Sequence, residues 1–193
     1  LLAGTASLLL TAWLCPLPAH AADGTDGTAP YTLSRNLSFR INYPRFLRFR
    51  VGATGASINQ ITFTVPATQV GTGTAIAGTG GEAGGGTAAT VQVVANNGQV
   101  TITATNNSGG LGLGNGVVGD PRINYNAIVT TSSDANLPAP GLTNAGGTTS
   151  LPVLTTAPYV TNRTATWTFN YANATVPAPG TYGTSARGGR VTY

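Results

Sequence analysis

The sequence predicts an all-β protein, an antiparallel β-sandwich of Ig-like type with long Gly- and Pro-rich loops. Three features carry that expectation. Apolar residues recur at every second position in several short runs, which is the period of half-buried strands. The pair Asn97-Gly98 separates two such runs, the pattern of a tight hairpin. The intervening stretches are dense in Gly, Thr and Pro, and no segment combines helical periodicity with a cap.

The elements follow in order. Residues 1–17 are almost wholly apolar and lead to Ala19-His20-Ala21, the form of a secretory signal with an A-x-A cleavage site after Ala21. The apolar run is shorter than the roughly 20 residues that span a bilayer core, and no basic cluster follows it, so a membrane helix is the poorer reading. With no Met and no basic residue ahead of the run, the sequence is expected to start inside that signal. Residues 22–30 then form a flexible leader, and 31–193 a single domain. Odd positions from Tyr31 through Leu33, Arg35, Leu37, Phe39, Ile41, Tyr43, Arg45, Leu47 and Phe49 to Val51 form one face, apolar except for two Arg. Pro44 cannot donate to a ladder, so the stretch divides into strands over 31–43 and 46–51.

Ile61, Phe63 and Val65 alternate with threonines and end at Pro66, a third strand. Val91, Val93 and Ala95 are expected to face Val100, Ile102 and Ala104 across Asn96-Asn97-Gly98 as a hairpin. Residues 123–129 read as another strand. Ala165, Trp167, Phe169 and Tyr171 alternate with polar residues and place three aromatics on one face, expected to anchor the core. A last strand covers 189–193. The loops are 71–90, 108–119 and 132–158, the last broken by Pro138, Pro140, Pro152 and Pro158. About seven short strands without intervening helices fit a sandwich.

Composition narrows the chemistry. The only Cys, Cys15, and the only His, His20, lie in the segment expected to be removed, and the chain has no Met and no Lys. Leu14 and Pro16 beside Cys15 fit poorly with lipid attachment, which favours small neighbours. Without His or Cys the mature chain lacks the usual ligands for transition metals. Asp23-Gly24-Thr25-Asp26-Gly27 has calcium-loop texture but no closing Glu, and reads as part of the leader. Glu82 with Asp120 or Asp134 would formally supply a glycosidase pair, but all three fall in loops without an aromatic cluster and read as solvated loop acids. The G-x-G fragments at 78–81 and 109–116 lack the Lys and the strand-to-helix context of a phosphate loop. No catalytic residue, cofactor site or metal site is therefore expected.

Basic residues give a sharper signal. Arg35, Arg40, Arg45, Arg48 and Arg50 crowd into sixteen positions, interleaved with Tyr43, Phe46 and Phe49. Arg40, Arg45, Arg48 and Arg50 are candidates for a polyanion contact. The competing reading places Arg40, Arg48 and Arg50 on the solvent face of early strands, where they discourage edge-to-edge pairing. Export makes nucleic acid an unexpected partner.

The run Val176-Pro177-Ala178-Pro179-Gly180-Thr181-Tyr182, followed by Arg190-Val191-Thr192-Tyr193, resembles the end of secreted pilin-type domains of the spore coat protein U and archaic chaperone-usher family. The resemblance covers about the last eighteen residues. It implies a pilin-like fold whose terminal strand, with Gly180, Tyr182, Val191 and Tyr193, is grasped by a pilus chaperone. It further implies a hydrophobic groove filled by a neighbour's N-terminal segment through strand addition. Tyr31, Leu33, Leu37, Phe39 and Ile41 are the candidate donor residues. The chain departs from the family in lacking a mature-chain Cys and in having small residues at 186–189.

Together these readings favour a non-enzymatic exported structural protein, a surface or fimbrial subunit that self-assembles, secreted to the cell surface and with no membrane span in the mature chain. The alternative is a stand-alone adhesin or glycan-binding module, using loop 132–158 or exposed Tyr125 and Tyr159.

Overall fold

The computed structural model describes residues 27, 29–30, 33–55, 59–82, 86–145 and 151–193, and the chain divides into two compact units, Leu1–Tyr43 and Pro44–Tyr193. The expected signal segment, Tyr31, Asp23 and Asp26 lie outside the described residues. In the first unit, residues 33–43 are exposed and form no strand, so the ladder expected over 31–43 is absent from its described part. Alternation alone does not make a strand. It needs a partner for its backbone groups.

The second unit is all-β. Its strands in chain order are β1 (Leu47–Val51), β2 (Ile61–Thr62), β3 (Ile76–Ala77), β4 (Thr79–Gly80), β5 (Ala88–Ala95), β6 (Val100–Ile102), β7 (Thr105–Asn106), β8 (Leu113–Gly114), β9 (Arg122–Ile123), β10 (Ile128–Ser132), β11 (Leu151–Val153), β12 (Thr161–Tyr171) and β13 (Val191–Thr192). Two 3-10 turns, Ala67–Gln69 and Tyr125–Ala127, supply the helical residues among those described. All the pairings are antiparallel. The main sheet runs β1-β5-β12-β10, with β3 added to β12.

The period-two patterns at β1, β5 and β12 lead directly to this sheet. On β5, Ala89, Val91, Val93 and Ala95 are buried while the residues between them are half-buried. Val91 and Val93 sit between Val51 and Phe49 of β1 on one side and Ala165 and Arg163 of β12 on the other. Trp167 of β12 is fully buried, and its indole N–H donates to the Leu137 carbonyl at 3.2 Å, so the ring adds its large apolar area without an orphaned donor. Ile102 of β6 and Val153 of β11 pack into the same cluster, so the small β6-β11 ladder closes onto the inner face of the main sheet.

The expected hairpin across Asn96-Asn97-Gly98 does not form. β5 pairs with β1 and β12, whereas β6 pairs with β11. Gly98 takes the positive φ, +90°, that the turn requires, but its N–H donates to the Tyr159 carbonyl and Asn96 is bonded to Phe46 and Pro44. The turn therefore carries the chain from one ladder to another. The third strand shortens to β2, since Phe63, Thr64 and Val65 make no ladder. Residues 123–129 divide into β9, a 3-10 turn and β10. The expected loops contain β3 and β4, β8, and β11, the last with Pro152 in a two-stranded ladder where no second partner requires its missing N–H.

Asparagine amides tie the loops down. Asn173 is fully buried at φ +50°. Its Oδ1 accepts from the Gly71 N–H at 3.1 Å, and its Nδ2 donates to the Gln69 and Thr74 carbonyls at 2.6 and 3.3 Å. Asn tolerates the left-handed region better than other side-chain-bearing residues, so one residue meets both the backbone and the bonding requirement. Asn173→Ala should destabilise the protein by roughly 2–4 kcal/mol, from three lost bonds of about 1 kcal/mol each and the backbone penalty. Urea denaturation checks this, and Asn173→Gly, which relieves only the backbone, should recover only the smaller part of the loss.

Candidate functional site: an apolar cleft beside an edge strand

β1 has one partner, β5, and its other edge is unpaired among the described strands. β13 likewise pairs only with β7, through Val191 to Asn106 and Thr192 to Thr105. Between β1 and β13 lies an open cleft of about 330 Å³, lined by Phe49, Val51, Arg190, Val191, Thr192 and Tyr193. Its side walls follow from strand alternation. Phe49 and Val51 face inward because Arg48 and Arg50 face out, and Val191 and Tyr193 share a face two residues apart.

One tyrosine, Tyr193, lines the cleft, and a second, Tyr125, anchors the chain just before β13. Tyr193 packs on Trp167 with ring centroids 5.2 Å apart, and it joins the main core cluster to a second cluster of Ala104, Tyr125 and Leu142. Tyr125, at the start of a 3-10 turn, is buried and donates its hydroxyl to the Gly188 carbonyl just before β13. This overturns its expected exposure as a glycan contact. The adjoining Asn144 accepts the Tyr125 N–H at 2.7 Å and donates to Asn124 at 2.6 Å, so the turn that aims the phenol is itself fixed. Tyr159 is exposed as expected, at 79%.

The remaining candidates are placed as follows. Val191 and Tyr193 line the cleft, while Gly180 and Tyr182 lie outside any strand, the Tyr182 hydroxyl donating locally to the Ala178 carbonyl at 2.7 Å. Leu33, Leu37, Phe39 and Ile41 are exposed at 58–84% in the first unit. Arg48 and Arg50 lie on the outer face of β1, Arg45 just before it, and Arg40 in the exposed 33–43 segment. Phe49 and Val51 were legible as strand residues but not as cleft walls, since the cleft depends on where a strand some 140 residues later is placed.

Each of the loop acids has a local partner that is not a carboxylate. Asp120 pairs with Arg122, and Asp134 with Arg163 at 3.5 Å. Glu82 accepts the Thr90 N–H at 2.8 Å. Hydrogen bonding to Thr90, helped by the positive charge of Arg50, holds that carboxyl below its ordinary pKa. The three are partly exposed loop acids, as expected, and each also serves as a local tie. Among the described residues no group of His, Cys, Asp or Glu is arranged to hold a metal, and no helix is long and apolar enough to cross a membrane.

The two buried tyrosines set an alkaline limit. Burial raises the Tyr125 phenol from about 10 to about 12, and burial together with the neighbouring Tyr125 raises Tyr193 further. A raised folded pKa means that the neutral form is favoured by the fold. Its stabilisation is complete below the unfolded value and is lost as pH rises through the folded one. The urea midpoint should hold up to about pH 9.5 and fall steeply toward pH 12. Tyr125→Phe, which cannot ionise, should start lower by about 1 kcal/mol for the lost bond yet decline less between pH 10 and 12. An equally steep decline would show that Tyr125 is not the titrating group.

No protein-family model, curated protein or solved structure matches the chain.

Proposed function

We propose that this chain is an exported, non-catalytic structural subunit that assembles with copies of itself at the cell surface, in the manner of a fimbrial subunit. One observation carries the reading. Leu33, Leu37, Phe39, Ile41 and Tyr43 are 58, 78, 84, 76 and 84% exposed in a segment without strand pairing. Leaving that many large apolar side chains in water is unfavourable, by roughly 1.5–3 kcal/mol for each that could instead be fully buried. Scattered exposed apolar residues need no explanation, but five within eleven positions at strand spacing do.

The second unit supplies a matching acceptor. The edge of β1 away from β5 pairs with no other described strand, and the cleft beside it presents Phe49, Val51, Val191 and Tyr193. A strand from a second copy, adding through its backbone and turning alternate side chains inward, would satisfy both. Leu37, Phe39 and Ile41 are three consecutive inward positions for such a strand. The same reading assigns no catalytic role to the acids: Glu82, Asp120 and Asp134 each have a structural partner. A chaperone that covers the cleft before assembly fits the same surface.

The test is the solution mass of residues 22–193. Light scattering should give concentration-dependent oligomers, and Phe39→Asp/Ile41→Asp should give monomers with an unchanged thermal midpoint. A variant lacking 31–43 should bind a synthetic peptide of those residues with micromolar or better affinity. A stable monomer from the unaltered chain, indifferent to the peptide, would sink the reading.

A further inference from the structure

A second surface, independent of self-assembly, lies on the outer face of the same sheet. Arg48 and Arg50 project from β1 two residues apart, about 7 Å along the strand. Beside them in register come Val94 and Asn162 in one row and Gln92 and Thr164 in the next. Phe46 continues the arginine face at the end of the strand, where its N–H and C=O bond to Asn96, and it is 48% exposed. Across the same turn Tyr159 stands 79% exposed, with its carbonyl held by the Gly98 N–H.

Three details mark this end of the sheet as more than a solvated surface. Tyr159 has a φ of +61°, a left-handed backbone that is a genuine outlier for a bulky residue. That conformation is over-determined: Thr161, fully buried next to it, donates its hydroxyl to the Gly98 carbonyl at 2.8 Å, and Ala157 and Val160 form a bridge around the turn. Strained backbone held this firmly clusters where a side chain is used. Arg48 makes no ion pair and no side-chain hydrogen bond among the described residues, and Nε of Arg50 is buried without a hydrogen-bond partner. The nearby Glu82 offsets part of the Arg50 charge but is itself bonded to Thr90. Finally, every cationic side chain in the protein is Arg, whose planar fork matches a carboxylate in two parallel bonds.

We infer that this face binds a linear acidic polysaccharide of the polyuronate type. Its carboxylates meet the Arg48 and Arg50 guanidinium groups, its hydroxyls meet Asn162, Gln92 and Thr164, and the apolar face of a sugar ring lies on Phe46 or Tyr159. Neutral amides and hydroxyls beside the arginines suit a sugar better than a phosphate backbone, which would call for a denser cationic track. A lipid surface would call for a cluster of aliphatic side chains projecting beyond the arginines, and the rows beside them offer Val94 alone, with the two aromatics set at the end of the sheet.

The test uses residues 22–193 with polygalacturonate, read by calorimetry at low and physiological salt. Dextran, single-stranded oligothymidylate and phosphatidylglycerol vesicles serve as the other arms. Polygalacturonate should bind, weaken with salt, and lose about tenfold in affinity with Arg48→Gln/Arg50→Gln. Tyr159→Gly, whose new residue accepts the left-handed backbone, should lose several-fold. Arg122→Gln/Arg187→Gln, which removes the same charge elsewhere, should change affinity less than twofold. Thermal midpoints show whether each variant is folded. Equal losses from the two arginine pairs would reduce the effect to net charge and overturn the site. Tighter binding of the oligonucleotide or the vesicles, with the same Arg48 and Arg50 dependence, would overturn the polysaccharide.

Discussion

The structure depends on the burial of one strand face. β12 is eleven residues long, and Thr161, Ala165, Trp167, Phe169 and Tyr171 are all buried along it. It pairs with β5 over residues 161–168, with β10 over 167–171 and with β3 at 170–171, so its backbone is flanked on both sides from Trp167 to Tyr171. Trp167 sits where these ladders, the β6-β11 pair and the C-terminal strand converge, touching Tyr193 and bonding to Leu137. Only a long, twice-paired strand can hold an aromatic of that size immobile at the centre of so many two-residue ladders. Most other strands span two or three residues and have no independent stability.

What the short strands lack in ladder bonds is made up by side-chain amides. Asn59 joins Ala53 to Gly81, Asn96 joins Phe46 and Pro44 to the end of β5, and Asn107 joins Ser185 and Arg190 to the end of β7. Asn106 reaches Thr143, and Asn173 ties three backbone groups about a hundred residues away. An amide offers a donor and an acceptor on one short stem, so it can copy the backbone pairing that an irregular loop cannot supply for itself. Among the described residues there is no Cys, and these amides do the loop-closing work that disulfides do elsewhere.

This division explains what could be read from the sequence. Alternation predicted β1, β5 and β12 because their pairing registers run unbroken and the period stays at two, as at Val91, Val93 and Ala95. Asn97-Gly98 correctly marked a turn, but a turn does not state which strands it joins. The sequence around it suited a hairpin equally well until Asn96 and Gly98 found partners on Phe46 and Tyr159. Tyr125 looked like any loop tyrosine, and its burial rests on Gly188, 63 positions away. The arginine face was legible, since β1 alone fixes which side Arg48 and Arg50 take. The cleft was not, because its far wall belongs to β13. The asparagine ties were also invisible, as nothing local separates an Asn that bridges loops from one that faces water.

The two surfaces of β1 constrain each other. Charge on an edge strand normally discourages pairing, and Arg48 and Arg50 do so for any strand carrying cations on its outward side. A strand that turns Leu37, Phe39 and Ile41 into the cleft necessarily turns Asn36, Ser38 and Arg40 toward the arginine face. Like charges directly opposite each other are unfavourable, so registers that set Arg40 against Arg48 or Arg50 are penalised, while those that set Asn36 and Ser38 there are not. Because a slip of one residue would also expose all three apolar side chains, permitted registers differ by two residues at a time. In the proposed assembly the apolar cleft would thus determine which face of an added strand turns inward, and the arginine pair would limit how far along β1 it sits.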